Sequence, residues 1–177
     1  MCNYVLHENS RPKNDLNAEY CALNLLNALK EKKLWISVAE SFTSGRVSAE
    51  IVKIPGASAV FYEGIVAYSN QSKNARLNVS ESTLKLYGAV SPQCCAEMSQ
   101  GLISTGKCDF AISTTGIAGP ASDDTKKPVG LCYLGFSTKN FTEVFEYNLK
   151  GNREDITSVA VAESLYIANK LIYEGKI

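Results

Sequence analysis

Segments with helical spacing alternate with short strand-like segments along the 177 residues of this chain. Apolar residues recur every three or four positions in 15–33 and again in 42–54, which predicts amphipathic helices. Strands are predicted over 35–39, 59–68, 109–114, 129–137 and 141–149, and further helices from about Ser69, Ser80 and Ser91 and over 154–172. This order is typical of an α/β domain with a mixed sheet covered by helices on both faces.

The length fits one domain with its own core. Residues 1–14 show neither a helical nor a strand-like apolar repeat, so we expect a flexible N-terminal tail of 1–14 followed by a single domain over 15–177. The N-terminal residues do not resemble a secretory signal, and nowhere do about 18 apolar residues occur in succession. A cytoplasmic location is the resulting expectation.

Charge is balanced, with 18 basic and 18 acidic residues and no window that concentrates one sign. A nucleic-acid-binding or membrane-binding surface normally needs a basic patch or stripe. We therefore expect neither nucleic acid nor membrane as a partner, and small-molecule chemistry is favoured.

Histidine occurs once, as His7, inside the predicted tail. A Ser-His-Asp triad, a Cys-His pair or a histidine-rich metal site is accordingly disfavoured. The six cysteines form no C-x-x-C pair, so they are expected to be reduced core residues and no metal site is predicted.

Polar and small residues occupy the first predicted strand-to-helix junction, ESFTSG at 40–45. Ser41 follows the strand, and the amides of residues 42–45 are expected to face outward, where they could hold an oxyanion or a phosphate. The alternative is that Ser41 or Thr43 only caps the helix, which is the commoner use of these residue types.

Two further loops can carry chemistry. Lys73 is predicted in the first turn of a short helix, where the helix dipole and Arg76 disfavour its charged form. A lysine base needs this help because its pKa must fall from about 10.4 toward 7 or 8; the alternative is a solvated surface lysine. The glycines of TTGIAGP at 114–120 permit unusual backbone geometry beside Thr115, although a plain turn is equally open.

Six motifs together carry a resemblance to a known family: AESFTSG (39–45), PGASAVFYEGIVAYSNQSK (55–73), YGAVS (87–91), TGIAGP (115–120), KPVG (127–130) and GNR (151–153). Their order and spacing resemble the C-terminal domain of the CinA (competence/damage-inducible) family, with its stand-alone nicotinamide-nucleotide amidohydrolases (NMN deamidases) as the most similar members. The resemblance covers residues 16–172.

The resemblance implies a three-layer α/β/α fold, a homodimer or other homo-oligomer, and hydrolysis of nicotinamide mononucleotide (NMN) to nicotinate mononucleotide and ammonia in pyridine nucleotide salvage, without cofactor or metal. It implies that Ser41 and Lys73 are the catalytic pair, supported by Tyr68 and Thr115. The predicted substrate-binding residues are Thr43, Ser44, Gly45, Gly116, Gly119 and Arg153.

This chain departs from the family pattern at several positions. Phe42 and Ser44 replace Cys and Gly of E-S-C-T-G-G, Ala121 and Ser122 replace two glycines after Pro120, and Asn152 replaces Asp in G-D-R. The alternative function is therefore a non-catalytic nucleotide-binding or partner-binding member of the same fold. Ser44 is expected to intrude on the substrate site through its Cβ, because glycine at such a junction permits positive φ or close approach of a ligand.

Overall fold

A computed structural model describes residues 3–13, 15–121 and 127–177. Six strands form one mixed sheet in the order β1-β6-β5-β4-β2-β3 within these ranges. The strands are β1 (Val5–Ser10), β2 (Ile36–Glu40), β3 (Phe61–Val66), β4 (Phe110–Gly116), β5 (Leu131–Ser137) and β6 (Thr142–Asn148). β5 runs antiparallel to both of its neighbours, and all other pairs are parallel. The predicted mixed sheet is thus confirmed.

Three helices cover one face of this sheet: α1 (Ala18–Lys32), α2 (Arg46–Val52) and α6 (Arg153–Tyr173). The main core lies between these helices and the sheet and contains aliphatic and aromatic side chains such as Leu25, Phe110 and Leu165. Burial of this apolar surface is the dominant stabilisation of the layer.

Three other helices cover the opposite face: α3 (Asn70–Leu77), α4 (Glu81–Leu86) and α5 (Pro92–Ser104). Ser69, Ser80 and Ser91 cap them, since each serine hydroxyl accepts a hydrogen bond from a backbone amide of the first turn. The predicted starts of these three helices and the three-layer α/β/α arrangement are confirmed. None of the helices in the described ranges is long and apolar enough to cross a membrane.

The prediction of a flexible tail over residues 1–14 is wrong for residues 5–10. This segment is strand β1, which pairs with β6 in parallel, and the His7 ring stacks on Phe145 with a centroid distance of 4.2 Å. The His7 ring also hydrogen-bonds to Glu143 at 2.9 Å. Pairing with β6 supplies the order that the polar sequence of β1 does not predict, while Met1, Cys2 and Asn14 lie outside the described residues.

Candidate active site

A cavity of about 290 Å³ opens beyond the carboxyl ends of the parallel strands β2, β3 and β4. Ligands of open α/β sheets commonly bind at this edge. The cavity is lined by seven of the predicted site residues: Ser41, Tyr68, Lys73, Thr115, Gly116, Gly119 and Arg153. Thr43, Ser44 and Gly45 do not line it.

Ser41 and Lys73 are in direct contact in this cavity. Lys73 Nζ lies 3.0 Å from Ser41 Oγ, 2.8 Å from the Ala67 carbonyl oxygen and 3.2 Å from the Tyr68 carbonyl oxygen. A neutral amine has two N–H groups and one lone pair. If the two carbonyls accept the two N–H groups, the lone pair faces the Ser41 hydroxyl.

Lys73 is buried, with 1% of its surface exposed, so the alternative of a solvated surface lysine is wrong. Burial lowers the pKa of Lys73 below its ordinary value of 10.5. Arg76, which the sequence placed as a second cause, is exposed and has no part in this shift. No carboxylate of the described residues forms an ion pair with Lys73. The neutral amine is therefore favoured by desolvation.

Tyr68 and Arg153 meet at the mouth of the cavity. The Arg153 guanidinium donates one hydrogen bond to the Gly119 carbonyl and another to the Tyr68 hydroxyl, the latter at 3.3 Å. Both side chains are exposed to solvent. A cation thus stands at the exposed side of the cavity that contains the buried Ser41–Lys73 pair.

Thr115 shapes the wall of the cavity through a neighbouring loop. Its hydroxyl donates to the Ala89 carbonyl at 2.7 Å, and Lys127 Nζ donates to the carbonyls of Tyr87 and Val90. Ala89 and Val90 both line the cavity. Thr115 therefore supports the site by fixing this loop, and sequence reasoning missed the same role for Lys127.

The junction after β2 is organised by Glu40, which sequence reasoning did not assign. Its buried carboxylate accepts hydrogen bonds from the Thr43 hydroxyl and the Gly45 amide, at 2.7 and 3.0 Å. Thr43 and Gly45, predicted to bind substrate, do not line the cavity, and these polar groups bind Glu40 inside the protein. The Ser44 amide is likewise occupied by the Ser41 carbonyl.

Ser44 has a left-handed backbone conformation with φ of 57°. Its side chain is exposed outside the cavity, and its hydroxyl makes only a long hydrogen bond of 3.4 Å to the Phe42 carbonyl. The expected intrusion of its Cβ into the substrate site is wrong. The left-handed geometry does explain why glycine is the usual residue of the family pattern here.

The other departures from the family pattern are accommodated locally. Phe42 is buried, packs against the main core and forms part of the cavity wall, and Ala121 lines the same cavity. Asn152 caps α6 in a capping box with Asp155, a role that asparagine and aspartate fill equally well. Ser122 lies outside the described residues.

Five of the six cysteines lie among the described residues and are buried as predicted, whereas Cys2 lies outside them. Cys21, Cys94, Cys95, Cys108 and Cys132 are buried free thiols, and burial raises the pKa of each one. Within residues 3–13, 15–121 and 127–177, no three side chains of His, Cys, Asp or Glu are grouped as metal ligands.

The fold and the cavity define a three-layer α/β protein with a buried Ser–Lys pair at the carboxyl edge of its parallel strands. The chain belongs to the CinA family, since residues 18–172 match the CinA C-terminal domain. It is 46% identical over 156 residues to a CinA-like protein of Fusobacterium nucleatum, covering 88% of this chain and 37% of that protein. It is 45% identical over 148 residues to a putative competence-damage inducible protein of Caldicellulosiruptor saccharolyticus, covering 84% of this chain and 36% of that protein.

The chain thus spans about a third of the length of these relatives. Solved structures of the superfamily are similar over nearly their full length. The competence/damage inducible protein CihA of Agrobacterium tumefaciens superposes with a TM-score of 0.84 at 32% identity, covering 92% of this chain and 98% of that chain. A CinA superfamily protein of Klebsiella pneumoniae gives a TM-score of 0.86 at 25% identity, covering 89% and 99%. The resemblance predicted from the sequence motifs is confirmed.

Proposed function

We propose that this protein hydrolyses the carboxamide of NMN to nicotinate mononucleotide and ammonia, through Ser41 as nucleophile and Lys73 as base. The observation that carries the proposal is the 3.0 Å contact between the Ser41 hydroxyl and a buried lysine whose pKa is lowered. A serine hydroxyl is a weak nucleophile without an adjacent base, and a buried neutral lysine is a suitable one.

In the first half-reaction, Lys73 Nζ takes the Ser41 proton while Ser41 Oγ forms a bond to the carboxamide carbon. The Phe42 and Thr43 amides donate to no atom of the described residues, so they are candidate donors to the oxyanion that forms. The protonated Lys73 then gives its proton to the amide nitrogen. The C–N bond breaks, ammonia leaves, and a nicotinoyl ester of Ser41 remains.

In the second half-reaction, water resolves the ester. Lys73, neutral again, takes a proton from water as the hydroxide oxygen bonds to the ester carbon. The C–O bond to Ser41 breaks, Ser41 Oγ recovers the proton from Lys73, and nicotinate mononucleotide leaves as the carboxylic acid, which gives its proton to water or to the released ammonia. No redox step or further reactant is needed.

The lining of the cavity suits such a substrate. Phe42, Val90 and Ile117 provide an apolar wall for a pyridine ring, close to Ser41. Arg153 at the mouth provides a cation for a phosphate, and its fork of N–H donors matches phosphate oxygens.

The proposal is tested by incubating the purified protein with NMN and measuring ammonia and nicotinate mononucleotide. Water labelled with ¹⁸O should place one labelled oxygen in the product carboxylate. Ser41→Ala should abolish both products, and EDTA should leave the wild-type rate unchanged. If the wild type releases no ammonia while NMN still protects it against heat, the alternative of a non-catalytic nucleotide-binding protein is supported instead.

A further inference from the structure

We propose that Glu40 is a positioning residue that holds Ser41 in its reactive geometry. This inference rests on the proposed function of the Ser41–Lys73 pair, and it adds a residue that does not touch the substrate cavity. Glu40 is the last residue of β2 and has no exposed surface, so it acts through its neighbour Ser41 rather than on substrate.

Five donors surround the Glu40 carboxylate. Oε2 accepts from Thr43 Oγ1, the Gly45 amide and the Val47 amide at 2.7, 3.0 and 3.1 Å. Oε1 accepts from the Ser48 amide and the Ser48 hydroxyl at 2.9 and 2.7 Å. A carboxylate, which only accepts hydrogen bonds, is the side chain that satisfies this set of donors.

These bonds replace the ordinary cap of α2. Gly45 at the N-cap position has no side chain, and its φ of 91° follows the left-handed Ser44. The first-turn amides of a helix need acceptors, and a negative charge at this end is favoured by the helix dipole. The Glu40 carboxylate supplies both the acceptors and the negative charge, so the turn of residues 41–45 depends on a residue that precedes it.

Glu40 also connects the nucleophile to the base. Its main-chain carbonyl accepts from the Ala67 amide at 2.8 Å, and the Ala67 carbonyl accepts from Lys73 Nζ. On the other side, Thr43 gives its single proton to Glu40, so the Thr114 hydroxyl donates to Thr43. One buried residue therefore ties the Ser41 turn to both neighbouring strands.

The experiment compares the wild type with Glu40→Gln. The amide keeps the shape of the side chain, but its NH₂ group cannot accept, so either two or three of the five donors lose their partner. The matched control is Glu97→Gln. Glu97 also accepts from a helix start, through the Ser80 amide and the Thr83 hydroxyl, but it lies outside the Ser41 cavity.

Two readouts separate positioning from a loss of folded protein. The first is kcat and KM for NMN, expressed per active site after titration. The second is the rate of Ser41 acylation by p-nitrophenyl acetate, which does not depend on NMN as the natural substrate. For Glu40→Gln we expect kcat and the acylation rate per site to fall about 10- to 100-fold with KM within about twofold, because small displacements of reacting groups cost about this much. Glu97→Gln should keep both rates.

The inference is overturned if Glu40→Gln keeps its rates per titrated site within about twofold of the wild type, or if Glu97→Gln loses as much. Should Glu40→Gln fail to fold, Thr43→Val takes its place, since it keeps the side-chain size while removing one donor to Glu40 and the acceptor of the Thr114 hydroxyl. Thr43→Val must show the same fall in rate at unchanged KM. If the wild type is acylated at Ser41 but does not hydrolyse NMN, the proposed substrate is contradicted. The acylation rates of the variants still test the positioning role of Glu40. A wild type that shows neither reaction overturns both proposals.

Discussion

Lys73 Nζ lies 3.0 Å from Ser41 Oγ although the two residues are 32 positions apart in the chain. Ser41 follows β2, and Lys73 lies just beyond β3, which is the parallel neighbour of β2. Both residues therefore lie beyond the same edge of the sheet, Lys73 in the first turn of α3. A charged lysine buried there without a carboxylate partner destabilises the folded protein. Burial of this kind is a feature of functional rather than structural lysines.

Lys73→Met should abolish catalysis while the protein stays folded. Removal of a general base typically costs about 10²- to 10⁴-fold in rate. Stability should change little at neutral pH, because the loss of three hydrogen bonds is offset by the removal of a buried amine. Ammonia release from NMN and thermal unfolding measure the two effects, and Lys53→Met, on the surface of the protein, is the control. Near-normal turnover by Lys73→Met would show that another group is the base.

The same lysine predicts how activity and stability depend on pH. Because burial lowers its pKa below 10.5, Lys73 in the folded state loses its proton at a lower pH than in the unfolded chain. In the window between these two pKa values the unfolded state binds more protons, so the free energy of unfolding should rise with pH there. Below the folded-state pKa both states are protonated, and this contribution to stability is absent.

Activity should rise with pH through that same folded-state pKa, because only the neutral amine accepts the Ser41 proton. Denaturant unfolding and kcat/KM are measured across the pH range for the wild type and for Lys73→Met. The wild type should gain stability relative to the variant as pH rises through the window. A constant difference in stability would contradict a lowered pKa of Lys73.

Sequence patterns predicted the layers of the fold but missed an edge strand. The helical and strand-like apolar repeats predict the mixed sheet and its two helix layers, because buried faces leave a regular apolar repeat. β1 carries no such repeat, and its order comes from pairing with β6 and from the stacking of His7 on Phe145. The helix predicted from residue 42 begins only at Arg46, because Ser44 and Gly45 form a left-handed turn under the Glu40 carboxylate.

Most of the predicted site residues line the cavity, and two of the exceptions, Thr43 and Gly45, have a common cause. Lys73 and Thr115 line the cavity as the family resemblance implied. The sequence predicts Thr43 and Gly45 as substrate-binding residues because a single sequence cannot show that Glu40 accepts their hydrogen bonds. The one available signal was an acidic residue ending an apolar strand three positions before a threonine, a placement in which a carboxylate is either functional or hydrogen-bonded.

Arg153→Lys should weaken the binding of NMN more than it slows its turnover. The guanidinium stands at the cavity mouth and can offer two parallel N–H donors to a phosphate, which an ammonium group cannot do. We expect KM for NMN to rise about 10- to 100-fold with kcat within about threefold, whereas nicotinamide riboside, which lacks the phosphate, should be affected less. Arg46→Lys is the control, since Arg46 pairs with Glu154 outside the cavity. Equal losses for NMN and the riboside would contradict phosphate binding by Arg153.

Thiol reagents should leave the proposed hydrolysis of NMN unaffected. Cys94 and Cys95 have no exposed surface, and burial raises the pKa of Cys94 to about 12, so neither thiol forms a reactive thiolate at neutral pH. Incubation with iodoacetamide at pH 7.5 should give no labelling of these two residues in the folded protein and full labelling after unfolding in urea. Mass spectrometry and the ammonia assay measure the outcome, and inactivation that parallels labelling of Cys94 would assign the thiol a role beside Lys73.

Ser44→Gly should stabilise the protein without changing its affinity for substrate. An L-residue at φ of 57° carries a steric cost that glycine avoids, which should raise the free energy of unfolding by about 1 kcal/mol. The greater conformational entropy of glycine in the unfolded chain offsets part of this gain. KM for NMN should stay unchanged because the serine side chain is exposed outside the cavity.

Ala49→Gly is the opposite control, since Ala49 lies inside α2 with helical backbone geometry and should lose about 1 kcal/mol on the same substitution. Denaturant unfolding and steady-state kinetics on both variants measure the pair. A lower KM for Ser44→Gly would mean that the serine does restrict the site, and a higher KM would identify its hydroxyl as a binding group. Unchanged KM with raised stability would show that serine at this position acts on the fold of the junction alone.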